Sequence, residues 1–199
     1  MHTFEEWKKK LIIVRGGGDI ATGTIYKLHQ SRFPVLVLEI ANPSCIRRTI
    51  SFCEAVFDKE VEVEGVIAKR ADSLEEAFAI YEQGQIPVMI DENGSTIETL
   101  HPPVVVDAIL AKKNLGTKIT DAPAVIGVGP GFCAGKDVDA VIETQRGHNL
   151  GRVIYEGEAA PNTGIPGRIA GYAKERVIHA PAAGNLHILK QIGEIVQAG

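Results

Sequence analysis

Residues 11–23 read LIIVRGGGDIATG, an apolar run that passes straight into three glycines and then into a helix start. Leu11, Ile12, Ile13 and Val14 make the short, largely β-branched run expected of a strand buried on both faces of a parallel sheet. Gly16, Gly18 and Ala21 fill the small-residue positions of G-x-G-x-x-G/A, with Gly17 between the first two. The first allows a tight turn, the second lets backbone approach a pyrophosphate, and the third lets helix pack closely on strand. The helix is expected to begin near Asp19, its free N–H groups and positive dipole end facing an anion, with Thr22 and Gly23 keeping the first turn small. A second run, Val35-Leu36-Val37-Leu38, is closed by Glu39, about 20 residues past the glycines, where a ribose-binding carboxylate belongs. The stretch therefore reads as one βαβ unit carrying a phosphate-binding turn. The plainer alternative keeps the glycines as a close strand-to-helix connection and Glu39 as a solvated strand end. Asp19 would repel a phosphate unless it caps the helix or is offset, and Arg15 is the nearest cation in sequence.

Composition bounds the rest. A chain of 199 residues with 45% hydrophobic side chains can bury a substantial core and suits one domain plus an appendage. The net charge is −4 and the basic residues are dispersed, which argues against a nucleic-acid footprint or a polybasic membrane patch. The N-terminal MHTFEEWKKK has no apolar h-region behind it and no run is long enough to span a membrane, so a cytoplasmic protein is expected. Cys45, Cys53 and Cys133 are widely spaced and lack a C-x-x-C pair, so they read as buried or incidental thiols. No H-x-H, H-E-x-x-H or paired Cys/His spacing argues for a protein-bound metal.

Beyond Glu39 the layout is that of an α/β fold. Ile46, Ile50, Cys53 and Val56 or Phe57 recur at helical spacing, which predicts a helix over 44–57 entered through Asn42-Pro43-Ser44. Arg47 and Arg48 would lie in its first turns, near the ribose acid, as contacts for a phosphate or simply as a solvated basic face. EVEVEGVIAKRA, residues 60–71, alternates around Gly65 as a strand or hairpin. Ser73 and Glu76 form a capping box ahead of a helix striped by Leu74, Ala77, Phe78 and Tyr81. Residues 86–90 make a strand ending at Asp91, on the edge where such sheets hold ligands. Residues 104–115 are expected to turn helical toward Gly116, and 123–128 to form another buried strand. The alternation predicts a parallel sheet with helices on its faces.

The strand at 123–128 leads into GVGPGFCAGKDVDAVIETQRGHNLGRVI, residues 127–154. Gly129, Pro130 and Gly131 would form a second small-residue loop at the ligand edge, and Asp137, Asp139, Glu143, Arg146, His148 and Asn149 crowd polar groups around one apolar strand. Such a region suits recognition of a polar small molecule. His148 is a candidate general acid or base, with Glu143 or Asp91 orienting, although a lone histidine in a polar loop is more often a surface residue.

VRGGGDIATG, IRRTISFCEAV, VDAILAKKNLGT, VIGVGPGF, VIETQRGHNLGRVI and PNTGIPG together resemble the YqeB-type accessory proteins of the selenium-dependent molybdenum hydroxylase system. The likeness runs through nearly the whole chain, in the family's order. It implies a Rossmann-like maturation factor with a client molybdenum hydroxylase, and it attaches no defined reaction. The family's recurrent positions fall here on Gly16, Gly17, Gly18, Asp19, Thr22, Gly23, Arg47, Arg48, Asp107, Gly129, Pro130, Gly131, Glu143, Arg146, Gly147, His148 and Asn149.

The C-terminal part changes character. EGEAAPNTGIPGRIAGY, residues 156–172, is rich in Gly and Pro and reads as a loop-rich passage off the sheet. RVIHAPAAGNLHILKQIGEIVQAG follows, and its A-P-x-x-G and I-G-x-x-V-x-x-G resemble the opening half of a biotinyl- or lipoyl-like sandwich. The expected organisation is a Rossmann-like nucleotide-binding domain over 1–155 and an incomplete β-rich segment over 156–199, with the native protein continuing further. Lys190 is in the wrong place for a modified swinging-arm lysine.

Three function classes follow. The first is a maturation factor that binds a nucleotide or the nucleotide-bearing molybdenum cofactor, the two glycine loops forming one site and Arg47, Arg48 and Arg146 contacting phosphates. The second is an NAD- or NADP-dependent oxidoreductase of a small polar substrate with His148 as proton donor. The third is an adaptor that docks a client on 127–154. The same strand, glycine turn and acid also serve S-adenosylmethionine, and homo-oligomerisation stays open.

Overall fold

A computed structural model describes residues 3–184 and 187–197 of the chain. Two compact units result, Met1–Asn162 and Thr163–Gly199. The first is built on a mostly parallel sheet of nine strands. Its chain order is α1 (Phe4–Lys8), β1 (Ile12–Arg15), α2 (Asp19–Gln30), β2 (Val35–Glu39), α3 (Ala55–Asp58), β3 (Glu60–Val63), β4 (Val66–Ala71), α4 (Leu74–Glu82), β5 (Ile86–Ile90), α5 (Ser95–Leu100), β6 (Val104–Asp107), β7 (Ala124–Val128), β8 (Cys133–Ala134), β9 (Ala140–Ile142), β10 (Val153–Ile154) and β11 (Gly157–Glu158). Across the sheet the order is β10-β9-β7-β6-β1-β2-β5-β4-β3, and only the outermost pairs, β10 with β9 and β3 with β4, run antiparallel. β8 and β11 form a separate two-stranded sheet.

Read without the β3–β4 hairpin, the parallel strands run β5-β2-β1-β6-β7-β9. In chain order that is 3-2-1-4-5-6, the order of the doubly wound dinucleotide-binding sheet. β1 sits between β2 and β6, with Ile13 opposite Leu36 on one side and Val105 on the other. The chain fills the β2 side first and crosses to the β6 side after β5, so the switch point lies at the carboxyl end of β1.

Alternation along β1 divides its side chains between two cores. Ile12 and Val14 join α2 and the 52–56 segment on one face, through Ile25, Phe52 and Ala55. Leu11 and Ile13 join Leu36, Ile97, Leu100 and Phe132 on the other. Each such fully buried aliphatic side chain contributes about 1.5–3 kcal/mol of transfer free energy. α1 docks on this second face through Trp7, whose ring lies 5.4–6.1 Å from those of Phe4, Phe78 and Tyr81. Thr3 and Glu6 close a reciprocal capping box at the start of α1.

The single helix expected over 44–57 does not form. Two 3₁₀ turns, Arg48–Ile50 and Phe52–Glu54, lead into the one-turn α3. The donors of this segment go elsewhere: Phe52 N–H to Thr22 Oγ1 at 2.9 Å, Cys53 N–H to the Gly17 carbonyl at 2.8 Å, and the Ser51 hydroxyl to the Arg47 carbonyl at 2.8 Å. Ser51 itself is extended, which ends any helix there. The helical reading of 104–115 is also overturned. Residues 104–107 form β6, and the rest is an irregular connection held by Asn114 Oδ1, which accepts from Gly116 N–H and Thr117 N–H. β6 thus reaches β7 without a helix, and so does β7 reach β9. Residues 157–158 pair within the first unit, and among the described residues of the second unit there is one bridge, Ile169 with Tyr172, and a 3₁₀ turn, Lys174–Arg176. Of the sandwich-like motif, residues 185–186 and 198–199 lie outside the described residues.

Candidate functional site at the carboxyl edge of the sheet

Gly16 follows β1 with φ +91°, a conformation that favours glycine, and a Cβ there would meet the Ile109 Cα at 2.8 Å. A Cβ on Gly17 would stand 3.0 Å from the Cys53 backbone nitrogen. Gly18 is the N-cap of α2, and a Cβ there would meet nothing within 4 Å. The first two glycines are therefore needed for close packing, and the third faces open space at a helix start with no side-chain cap. Thr22 is buried and ties the turn to the neighbouring segment, its hydroxyl donating to the Gly17 carbonyl at 3.1 Å and accepting from Phe52 N–H. Ala21 is buried against the sheet, as the third small-residue position requires, while Gly23 is exposed on α2.

Glu39, at the carboxyl end of β2, turns back onto the turn. Its carboxylate accepts from Gly17 N–H and from Ile40 N–H, each at 2.8 Å. Burial raises its pKa, and these two N–H donors offset only part of that. Asp19 is offset by Arg47, whose guanidinium forms an ion pair with it, and not by Arg15. Arg48 is half-buried near Glu54, whose carboxyl is raised by burial and partly held down by the Arg48 charge. The Cys53 thiol is pushed far up by burial and then by Cys45 and Glu39, which leaves it a protonated, unreactive group.

Arg15 points to the other face of the sheet and is buried. Its Nη1 lies 3.5 Å from Asp107 Oδ2 at the end of β6, with Thr117 Oγ1 between them, accepting from Arg15 and donating to Asp107 at 2.5 Å each. This cluster holds the β6–β7 connection across the switch point. Thr117 and Ile109 carry no motif that would have singled them out in the sequence.

The second glycine loop leaves the end of β7, two strand spacings or about 10 Å from β1. Its glycines are filled in. A Cβ on Gly129 would meet Leu110 Cδ2 at 2.8 Å and Thr144 Oγ1 at 2.9 Å, and one on Gly131 would strike the Lys113 backbone at 2.7 Å. Both glycine loops thus pack against the same 108–117 connection, from opposite sides. Pro130 is half-buried between the two glycines.

Asp91, Glu143 and His148 do not share one site. Asp91 ends β5 and Glu143 follows β9, five strand spacings or about 24 Å apart. The Asp91 carboxylate starts α5, accepting from Ser95 N–H, the Ser95 hydroxyl and Thr96 N–H at 2.7–3.1 Å. Burial works to raise its pKa, and those donors outweigh it and hold it low. Glu143 is buried and organises backbone in the same way, accepting from Gln145 N–H at 2.7 Å and Ala160 N–H at 2.8 Å, so that its pKa is lowered against the effect of burial. Arg146, Gly147, His148 and Asn149 are exposed in the loop between β9 and β10. Among the described residues no three His, Cys, Asp or Glu side chains are placed to hold a metal, and no helix is long and apolar enough to cross a membrane.

Over 190 residues, 96% of its length, the chain is 52% identical to a protein of Escherichia coli strain K12 named "Uncharacterized protein YqeB". The chain is YqeB-like. It spans 35% of the length of that relative. No protein family pattern and no solved structure matches the chain. The YqeB likeness embraces both glycine loops, the Arg15–Thr117–Asp107 cluster and the Glu143 loop together, because the aligned stretch covers nearly all of the chain.

Proposed function

We propose that this chain binds a nucleotide, or a cofactor bearing one, at the 16–18 turn, and that it acts as an accessory factor in maturation of a selenium-dependent molybdenum hydroxylase. The observation that carries the binding half is the hydrogen bond between Glu39 and Gly17 N–H. It brings the acid of β2 onto the glycine turn of β1 at the switch point of a 3-2-1-4-5-6 strand order, the arrangement in which a Rossmann-like sheet holds ribose beside diphosphate. The diphosphate lies over Gly18 at the start of α2, on the N–H groups of Asp19 and Ala21 and on the helix dipole. Glu39 exchanges its bond to Gly17 for a ribose hydroxyl, and Arg47, already drawn in by Asp19, adds a positive charge. The maturation half rests on the resemblance of the ordered motifs to the YqeB-type accessory proteins. The sandwich-like reading of 176–199 belongs to the same proposal.

An oxidoreductase has less support, because His148 is exposed in a loop beyond β9, three strands from β1. The test is thermal unfolding of the chain against NAD, NADP, S-adenosylmethionine, ATP, CTP and a molybdopterin nucleotide. A ligand at 100 times its dissociation constant adds about 2.7 kcal/mol of stability and raises the midpoint visibly. A Cβ at Gly18 meets no atom within 4 Å, so Gly18→Leu is expected to block the phosphate space while the fold persists, and the shift should vanish. A shift retained in that variant would overturn the site, and no shift with any ligand would favour a nucleotide-independent adaptor.

A further inference from the structure

The two edges of the sheet are finished differently. β3 reads Glu-Val-Glu-Val, its glutamates exposed and Glu60 3.7 Å from Lys69 across the hairpin, so this edge is guarded by charge. The other edge, β10, is two residues long, entered through a bulge, and has the exposed Arg152 before it and Glu156 after it, while its own side chains carry no charge. Gly151 and Arg152 together oppose Glu143: Gly151 N–H donates to the Glu143 carbonyl at 2.8 Å and Glu143 N–H to the Arg152 carbonyl at 2.9 Å. With Gly151 at φ +80° this is a G1 bulge that sets the register of Val153 on Ile142 and Ile154 on Val141. Inward and outward groups alternate along an antiparallel strand, so the N–H and C=O of Val153 face away from β9. Val153 and Tyr155 are exposed beside them, Tyr155 by 75%. A groove of about 520 Å³ runs along this strand, and its lining includes Arg152, Tyr155, Glu156 and Glu158. The Glu143 carboxylate in that lining is satisfied by backbone N–H groups, which leaves Glu156 and Glu158 as the acids facing solvent, two exposed acids against the single exposed cation Arg152.

We propose that β10 is a strand-addition site for an extended segment of a protein partner in which lysine or arginine alternates with apolar residues. The open backbone of Val153 pairs with the partner's backbone, Val153 and Tyr155 receive its apolar side chains, and Glu156 and Glu158 attract its cations. An acidic or purely apolar segment lacks this complementarity.

The test uses the full chain and a fluorescein-labelled KVKVKVKV peptide, read by anisotropy at low salt. Val153→Pro removes the outward N–H, which the sheet does not use, so the thermal midpoint should hold while binding weakens about three- to tenfold, the loss of one net hydrogen bond. Glu156→Gln with Glu158→Gln should weaken binding roughly three- to tenfold and flatten its salt dependence. The same peptide with N-methylated valines should fail to bind the unaltered chain, which keeps the test decisive even if Val153→Pro does not fold. Equal affinity for EVEVEVEV or for the N-methylated peptide, or no binding of KVKVKVKV, would overturn the proposal.

Discussion

Two glycine turns leave the same edge of the sheet, one after β1 and one after β7, and they look alike as sequence. The 108–117 connection runs between them and separates their roles. On its β7 side the Lys113 backbone closes over Gly131, and the Leu110 side chain, with Thr144, fills the space beside Gly129. On its β1 side it closes over Gly16 only, and Gly18 opens on solvent at the head of a twelve-residue helix. A glycine-rich turn is a ligand cradle only where the vacated volume stays empty.

The strongest challenge to this comparison is removal of the wall the turns share. Asp107→Ala leaves the buried Arg15 guanidinium without its carboxylate, and a loss of about 3–5 kcal/mol is expected in urea unfolding. A loss near zero would mean that the connection is not held as described. Next comes the same substitution in both turns. Gly131→Ala combines a backbone strain at φ +115° with a clash on Lys113 and should cost about 2–4 kcal/mol. Gly18→Ala meets no atom and should cost under about 1 kcal/mol, as an N-cap change. Equal costs would erase the distinction between the turns.

Asp91→Ala tests whether an acid elsewhere on this edge serves structure, and its capping bonds predict a loss of about 1–2 kcal/mol. Because the pKa of Asp91 is lowered in the fold, its contribution is present above its unfolded value and drains away as pH falls, so wild type and variant should converge in acid. Glu39→Gln is the smallest change, within about 1 kcal/mol at neutral pH, since one backbone hydrogen bond is weakened while the cost of burying a charge is relieved. The raised pKa of Glu39 means that the native chain keeps its proton to higher pH than the unfolded chain. Stability therefore falls as pH rises through that window, and the glutamine variant should lack that fall.

The strands were legible where apolar runs are buried on both faces, as in 11–15, 35–39, 86–90 and 124–128. Over 44–57 the helical spacing of Ile46, Ile50, Cys53 and Val56 misleads, because it is a property of the side chains alone. The backbone donors of this segment are claimed by Thr22 and Gly17, thirty or more residues earlier, and Ile46 ends up 92% exposed. β6 was hidden in an expected helix, although three consecutive valines after two prolines favour a strand. Glu39, Asp19 and the glycines of the first turn were legible because the βαβ pattern fixes their spacing. The Arg47 pairing, the Thr117 bridge and the filling of the second turn depend on the irregular 41–54 and 108–117 segments, which carry no period to read.

Trp7 is the only tryptophan of the chain, buried against Phe4, Phe78 and Tyr81, with no acceptor for its indole N–H among the described residues. It belongs to the face of the sheet opposite α2. Intrinsic fluorescence thus reports whether α1 stays docked on α4. A nucleotide arriving at the head of α2 would leave that emission unchanged, so an optical titration of this protein calls for a reporter placed on the other side of the sheet.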